Sequence, residues 1–521
     1  MRKHLRTLLC LLLLSCLLCV SVYAAKETAD ISAAGQMWSL SLTEQELAAF
    51  SAQTQSITIS EAEKQRVWTL MRNGLNELKT EIQIPCTNLD DVKANAYVQL
   101  YLLLLKRDPT LFHVEGSISI SYSASMLQLY PKYSTTNRVY IAERQTQLTE
   151  KIDEIISGVQ PGWSDLEKAL YLHDYLALHA EYDTDSSDGI TYDACTLLLD
   201  GVGVCEAYTR AYLALMDRVQ IPCETVSSRD RNHTWNVIRI GGNWYHVDVT
   251  WDDPTRDRIG QVYHTNFCVS ETQIRALGHD ANDWEYSEEI TAANDTTFDS
   301  CYWTNGENMR SAFVPIGDMW YYLNGSDIMQ TNDPKEPGTA IKNIYARWWT
   351  VAGTGWWRGM YAGLSVYNGK LVYNSPDAVY SYDVATEKRE TLYELNAEEK
   401  QTGRIYGCMV TGNILRYTLL DNLNDADVVK THQIDHYITV KEGGYAYYLE
   451  NGHTLFLRRS AAETSGHVIA AWYDAEGRML GARFLTGREL TVDLSGAAAA
   501  KIFSTDQNFA PRTFPLLQQA G

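Results

Sequence analysis

Near residue 300 the chain exchanges one apolar rhythm for another, and a single layered architecture cannot satisfy both. Upstream, apolar residues recur every three or four positions over 61–81, 89–106 and 146–159, the spacing of half-buried helices. Ser164-Asp165-Leu166-Glu167 makes a capping box ahead of another helix that should run to about Ala180. A strand pair interrupts these helices: 117–122 alternates with period two and 126–130 answers it. Downstream, tyrosine and tryptophan crowd into short strands. Gly317-Asp318-Met319-Trp320-Tyr321-Tyr322, Gly369-Lys370-Leu371-Val372-Tyr373 and Gly412-Asn413-Ile414-Leu415-Arg416-Tyr417 recur at intervals of 52 and 43 residues, a period that suits propeller blades. Three units are too few for a closed ring, so 299–437 should form an incomplete propeller-like array or stacked sheets. From about Thr439 alternation returns. Segments 468–474 and 479–484 flank Glu476-Gly477-Arg478 as a hairpin, and 500–503 reads as a closing strand. The expected class is α+β: a helical and hairpin region at 61–160, a mixed core at 161–298, and β-rich segments at 299–437 and 438–521.

Within the core, one segment gathers the groups of a thiol nucleophile. After Gly201-Val202-Gly203-Val204, residues 205–219 place Tyr208, Ala211, Tyr212, Leu215 and Val219 on one helical stripe, with Cys205 in the first turn. Unpaired N–H groups and the positive end of the helix dipole favour negative charge there and offer donors to an oxyanion. Segments 233–240 and 244–251 read as strands joined by the two-residue turn Gly241-Gly242. With that turn Ile240 faces Asn243 and His233 faces Thr250. Asp248 then lies one diagonal step from His233 on the same face, roughly 7–8 Å between α-carbons and within reach of a hydrogen bond. Cys205 as nucleophile, His233 as base and Asp248 as its orienter are the candidate catalytic residues.

Taken singly, each has a blander reading: a buried thiol, a strand histidine, a turn acid. A metal alternative rests on His246 and Asp248 as an H-x-D pair with Asp252 and Asp253 nearby, but no second cluster at ligand spacing supports it, and no cofactor motif occurs. Trp235, Trp244 and Trp251 read as packing residues rather than substrate stackers. Tyr182 and Tyr192 are upstream candidates for a further oxyanion donor.

The blocks Gly-Val-Cys205-Glu-Ala-Tyr, His233-Thr-Trp-Asn-Val and Trp-Tyr-His-Val-Asp248-Val-Thr-Trp-Asp-Asp-Pro are similar to the bacterial branch of the transglutaminase-like superfamily, over roughly 165–270. The resemblance implies a papain-like fold and acyl-transfer chemistry through a Cys205–His233–Asp248 triad. Amide cross-linkers, peptidases, deglycosylating enzymes and inactive members share that fold, so it implies machinery more firmly than substrate. The expected function is cysteine-type amide hydrolysis of a protein or wall peptide through a thioester. The rival is a non-catalytic surface-binding protein that keeps the fold. The segment from 438 resembles the small Ig-like sandwich modules of secreted proteins.

Arg2, Lys3 and Arg6 precede an apolar run over 8–22, and Val22-Tyr23-Ala24 fits a cleavage site, so 1–24 reads as a secretory signal followed by a loose lead-in at 25–60. A lipid-anchored Cys16 is the less favoured alternative. No later stretch reaches the ~20 apolar residues of a spanning helix. A net charge of −21 argues against nucleic acid and anionic membranes as partners. Seven cysteines remain beyond the signal, too few for a disulfide framework; burial is expected for Cys195, Cys223 and Cys268, with one bridge among them as the alternative.

Overall fold

The computed structural model describes residues 38–42 and 59–519, apart from 185–190, 256–257, 289, 305–308, 350–354, 360, 422–427, 435–437, 441–443, 451–453, 460–465, 487–488 and 512–515. The expected signal, Cys16 and most of the lead-in lie outside the described residues. The chain divides into two compact units: residues 1–250 with 266–299, and residues 251–265 with 300–521.

In the first unit, helices α1 (Glu61–Asn76) and α2 (Asp91–Arg107) begin at Ser60 and Asp90, whose side chains accept backbone N–H bonds of the first turn. They cover a four-stranded antiparallel sheet of β1 (Trp38–Leu42), β2 (Ile82–Pro85), β3 (Val114–Ser123) and β4 (Met126–Tyr133), in the order β1-β3-β4-β2. The period-two pattern shows in what is buried: Ile82, Ile84, Ile118, Ile120, Leu127 and Leu129 meet Val67, Met71, Tyr97 and Tyr101 of the helices in one core. α1 stops five residues short of the expected end. α3 (Arg138–Ser157) starts eight residues before its expected start. Its first turns expose Val139 and Tyr140, so no apolar stripe marks them.

Ser164 and Glu167 form the expected reciprocal cap at the start of α4 (Asp165–His179). α5 (Ala194–Asp200) and α6 (Cys205–Arg218) follow. A five-stranded antiparallel sheet then forms from β5 (Cys223–Ser228), β6 (His233–Ile240), β7 (Asn243–Val247), β8 (Phe267–Val269) and β9 (Glu285–Tyr286), in the order β8-β7-β6-β5-β9. Gly241 and Gly242, at φ +60° and +93°, make the tight turn, and Ile240 pairs with Asn243 as expected. The expected strand over 244–251 ends early. The Asp248 N–H turns to Asn266 O at 3.0 Å, and Val249–Asp252 coils into one helical turn.

In the second unit, antiparallel meanders occupy 314–343, 364–394 and 404–433. The three sequence repeats fall on the second strand of each, Met319–Asn324, Lys370–Asn374 and Ile414–Leu420, entered through turns at Gly317, Gly369 and Gly412. Val372 and Val379 of the second meander share a core with Ile405, Val410, Leu415 and Tyr417 of the third. Beyond them two four-stranded sheets bury Tyr445, Leu455, Leu457 and Val492 from one and Val468, Ala470, Ala500 and Ile502 from the other. The expected hairpin forms between His467–Tyr473 and Met479–Phe484, and Ala499–Thr505 pairs on the far side of the first of these strands. Cys86, Cys195, Cys205, Cys223, Cys268, Cys301 and Cys408 are all free thiols, so the alternative bridge among Cys195, Cys223 and Cys268 does not form. Among the described residues no helix is long and apolar enough to cross a membrane.

Candidate active site

Cys205 opens α6 because α5 ends in a left-handed turn at Gly201 (φ +79°), which swings the chain back toward the sheet. Gly203 lets that return run close to the new helix: a Cβ there would stand 2.7 Å from Ala207 Cβ. Val204 is the N-cap and has no side-chain acceptor to give. The Ala207 N–H turns back to Val204 O at 2.9 Å, so the first-turn donors an oxyanion beside the sulfur would use are the N–H groups of Cys205 and Glu206.

The helix is fastened to β6 one turn beyond Cys205. Thr209 Oγ1 donates to Thr234 O at 3.0 Å, and Asn236 Nδ2 donates to Thr209 O at 3.1 Å, both in buried surroundings. Thr234 follows His233 directly, so these bonds bring the thiol and the imidazole together. His233 Nε2 lies 2.6 Å from Asp248 Oδ2. Nδ1 is left to meet Cys205, whose hydrogen bond contributes to the imidazole's protonation balance. The three candidate residues are thus adjacent in the order thiol, imidazole, carboxylate.

Burial opposes charge on His233, yet the Asp248 carboxylate and then the Cys205 sulfur outweigh it and push the imidazole up to about 10. Burial likewise opposes charge on Asp248, and His233 and His279 overturn that, holding the carboxyl below its usual range. A protonated imidazole between a carboxylate and a sulfur is the electrostatic arrangement of an activated thiol.

His279 is a member that sequence reasoning missed. Its Nε2 lies 2.7 Å from the same Asp248 Oδ2. His233, Asp248 and His279 offer ligand atoms within 4.8 Å of one another. Their nitrogen-to-oxygen distances are those of hydrogen bonds, whereas a tetrahedral cation bound at ~2.0–2.1 Å holds its ligand atoms roughly 3.3 Å apart. His246, central to the metal alternative, spends Nδ1 accepting the Trp235 Nε1–H at 2.9 Å. Burial, then the charges of His279 and Arg275, pushes it down to about 3, so it stays neutral.

Trp235 is buried and Trp244 packs against its cluster, while Trp251 is 42% exposed. Burial, followed by charge on Cys205, raises the Tyr182 phenol, which places that ring in the field of the thiol. Tyr192 is exposed.

Residues 151–249 match the model of the transglutaminase-like superfamily. The chain carries a transglutaminase-like domain. The chain is 22% identical over 166 residues to mouse kyphoscoliosis peptidase, covering 27% of this chain and 25% of the relative. The human kyphoscoliosis peptidase is 25% identical over 134 residues, covering 22% and 20%. The chain thus spans a quarter or less of the length of these curated relatives. A crystal structure of a candidate cysteine protease from Cytophaga hutchinsonii is 20% identical, covers 27% of this chain and 56% of that one, and superposes with a TM-score of 0.18.

Proposed function

We propose that the transglutaminase-like domain is a cysteine-type acyl-transfer enzyme that hydrolyses amide bonds in a protein or wall-peptide substrate. The observation that carries this reading is the 2.6 Å contact of His233 Nε2 with Asp248 Oδ2, which leaves the other ring nitrogen to the Cys205 thiol. In the reaction Cys205 Sγ attacks the amide carbon, and the oxyanion is held by first-turn N–H groups of α6. His233 delivers its proton to the departing amine as the C–N bond breaks, leaving a thioester on Cys205. Water then attacks the thioester, its proton passes to His233, and the acid product leaves as the sulfur recovers. Asp248 stays ionised throughout and keeps Nε2 oriented. Hydrolysis is favoured over cross-linking because water surrounds an exported enzyme and no amine-binding site is apparent among the described residues. The secretory signal expected at 1–24 supports secretion. The β-rich segments, read as a propeller-like or stacked array and an Ig-like module, serve to bring the core to its substrate.

The test uses p-nitrophenyl acetate, a reactive acyl donor that needs no knowledge of the natural substrate. Acetylation followed by mass spectrometry should fall on Cys205 ahead of the other thiols at pH 7, turn over, and disappear in His233→Ala. Acetylation of Cys205 no faster than that of the remaining thiols, unaffected by His233→Ala, would sink the catalytic reading.

A further inference from the structure

Asp248 Oδ2 receives two histidines rather than one. His233 Nε2 stands 2.6 Å away and His279 Nε2 2.7 Å away. A carboxylate only accepts, so both rings carry their hydrogen on Nε2. His279 is 1% exposed, and its ring lies 5.5 Å from that of His233, inclined at 52°.

The setting of His279 is built from several sides. It ends a wide helical turn, Arg275–His279, in which Gly278 has φ +117°, a backbone that a side chain would strain. Its ring meets Trp235 edge-on at 4.8 Å. Its carbonyl accepts the Trp284 Nε1–H at 3.1 Å, and the Arg275 guanidinium lies 3.6 Å from the Trp284 ring centre. Arg275 also donates to Ala281 O, and Arg231 donates to Asp280 O, which ties the same loop to the residues just before His233.

We infer that His279 is a positioning residue for the proposed thiol chemistry, fixing through a second hydrogen bond the one carboxylate oxygen that orients His233. This rests on the acyl-transfer reading above. A buried histidine donating to a buried acid is a common structural pair. Here, however, the shared atom is the oxygen that faces the base. A second donor at a fixed point removes the carboxylate's freedom to tilt away from His233. It also stabilises the ionised form, so that Asp248 leaves the proton on His233. The ionisable groups facing the pair are His246, Arg275, Tyr182 and, through His233, Cys205.

The experiment is the pH profile of Cys205 alkylation by iodoacetamide in the full chain, compared among wild type, His279→Phe and His279→Gln. Phenylalanine fills the space without an N–H, whereas the glutamine amide can return a donor near Nε2. The expected result is a loss of roughly tenfold or more at pH 6 in His279→Phe, as for a lost hydrogen bond to a charged group. Its acid limb should move to higher pH, with most of the rate restored by His279→Gln. A His279→Phe profile that overlays wild type overturns the inference. If His279→Phe does not fold, 15N-histidine NMR of the wild type decides, because a His279 Nε2 that carries no hydrogen at pH 7 is incompatible with the donor role. Failure of the underlying reading looks different: wild-type Cys205 would then label as an ordinary thiol.

Discussion

Replacing Asp248 with asparagine removes the charge beneath His233 while keeping shape and one acceptor oxygen. The structure sets the size of the effect. Burial opposes charge on the ring, yet with Asp248 and Cys205 in place the imidazole is pushed up from 6.5 to about 10. At about 1.4 kcal/mol per pH unit this favours the protonated ring by roughly 5 kcal/mol. Asp248 is the larger of the two partners that overcome burial, and a hydrogen bond to a charged group contributes about 1.5–3 kcal/mol, so roughly 2–3 kcal/mol is the working figure for its loss. Transfer of the thiol proton to His233 depends directly on how well the ring holds it. Asp248→Asn should therefore lower the rate of Cys205 alkylation at pH 6 by about thirty- to a hundredfold. The assay is iodoacetamide labelling read site by site by mass spectrometry from pH 4 to 9. Thermal melts on the same samples establish that the variant is folded. A folded Asp248→Asn protein whose profile matches wild type would refute the electrostatic reasoning.

The same ionic pair predicts how stability depends on pH. His233 has a raised pKa, so its contribution is fully present below about 6.5 and is lost as pH rises through about 10. Asp248 has a lowered pKa, so its contribution is present above 3.8 and is lost as pH falls through its folded value. Melting temperatures measured from pH 3 to 10 should plateau between these limits, and both limbs should flatten in Asp248→Asn; unchanged limbs would place the dependence elsewhere. Trp235→Phe keeps most of a buried ring but leaves His246 Nδ1 without its 2.9 Å donor. Urea unfolding should show a loss of about 2–3 kcal/mol, and a loss below 0.5 kcal/mol would contradict it. Thr209→Val cuts the buried bond that fastens α6 to β6 beside the catalytic candidates. It should cost about 1–1.5 kcal/mol of stability and slow Cys205 alkylation more than Ser164→Ala, which weakens a cap remote from the thiol; equal labelling in the two variants would show that the fastening is irrelevant to the site.

What could be read from sequence follows from where local pattern and tertiary pairing agree. The capping box at Ser164, the Gly241-Gly242 turn and the three Gly-led β repeats each specify their geometry within a few residues, and each appears where expected. The start of α3 was not legible because its first turn exposes Val139 and Tyr140, and its buried residues are sparse there, Ile141 and then Leu148. The strand expected to reach residue 251 was overextended for the opposite reason. Alternation continues through Val247-Asp248-Val249-Thr250, but the Asp248 N–H is claimed by Asn266, a partner that no local pattern reveals.

The closeness of His233 to Asp248 was legible from the two-residue turn between their strands, although the ladder stops at Asn236–Val247 and the expected His233–Thr250 pair does not form. His279 was not, since it lies 31 residues from Asp248 and reaches it from a turn with no repeat. Its loop has a second hold on the site. Asp283 accepts from the backbone N–H of Arg229 and Asp230 and from Ser228 Oγ, bracing the turn that leads into His233. The family match ends at residue 249, so both the His279 donor and the Asp283 brace lie beyond it. The matched segment thus contains the groups that would react, but one of the two hydrogen bonds that hold their carboxylate comes from outside it. A chain cut after residue 250 would keep Cys205, His233 and Asp248 while leaving Oδ2 with one donor and the His233 turn without Asp283. The order of the site is a property of the whole 266–299 return, which passes through β8 and β9 before the unit closes.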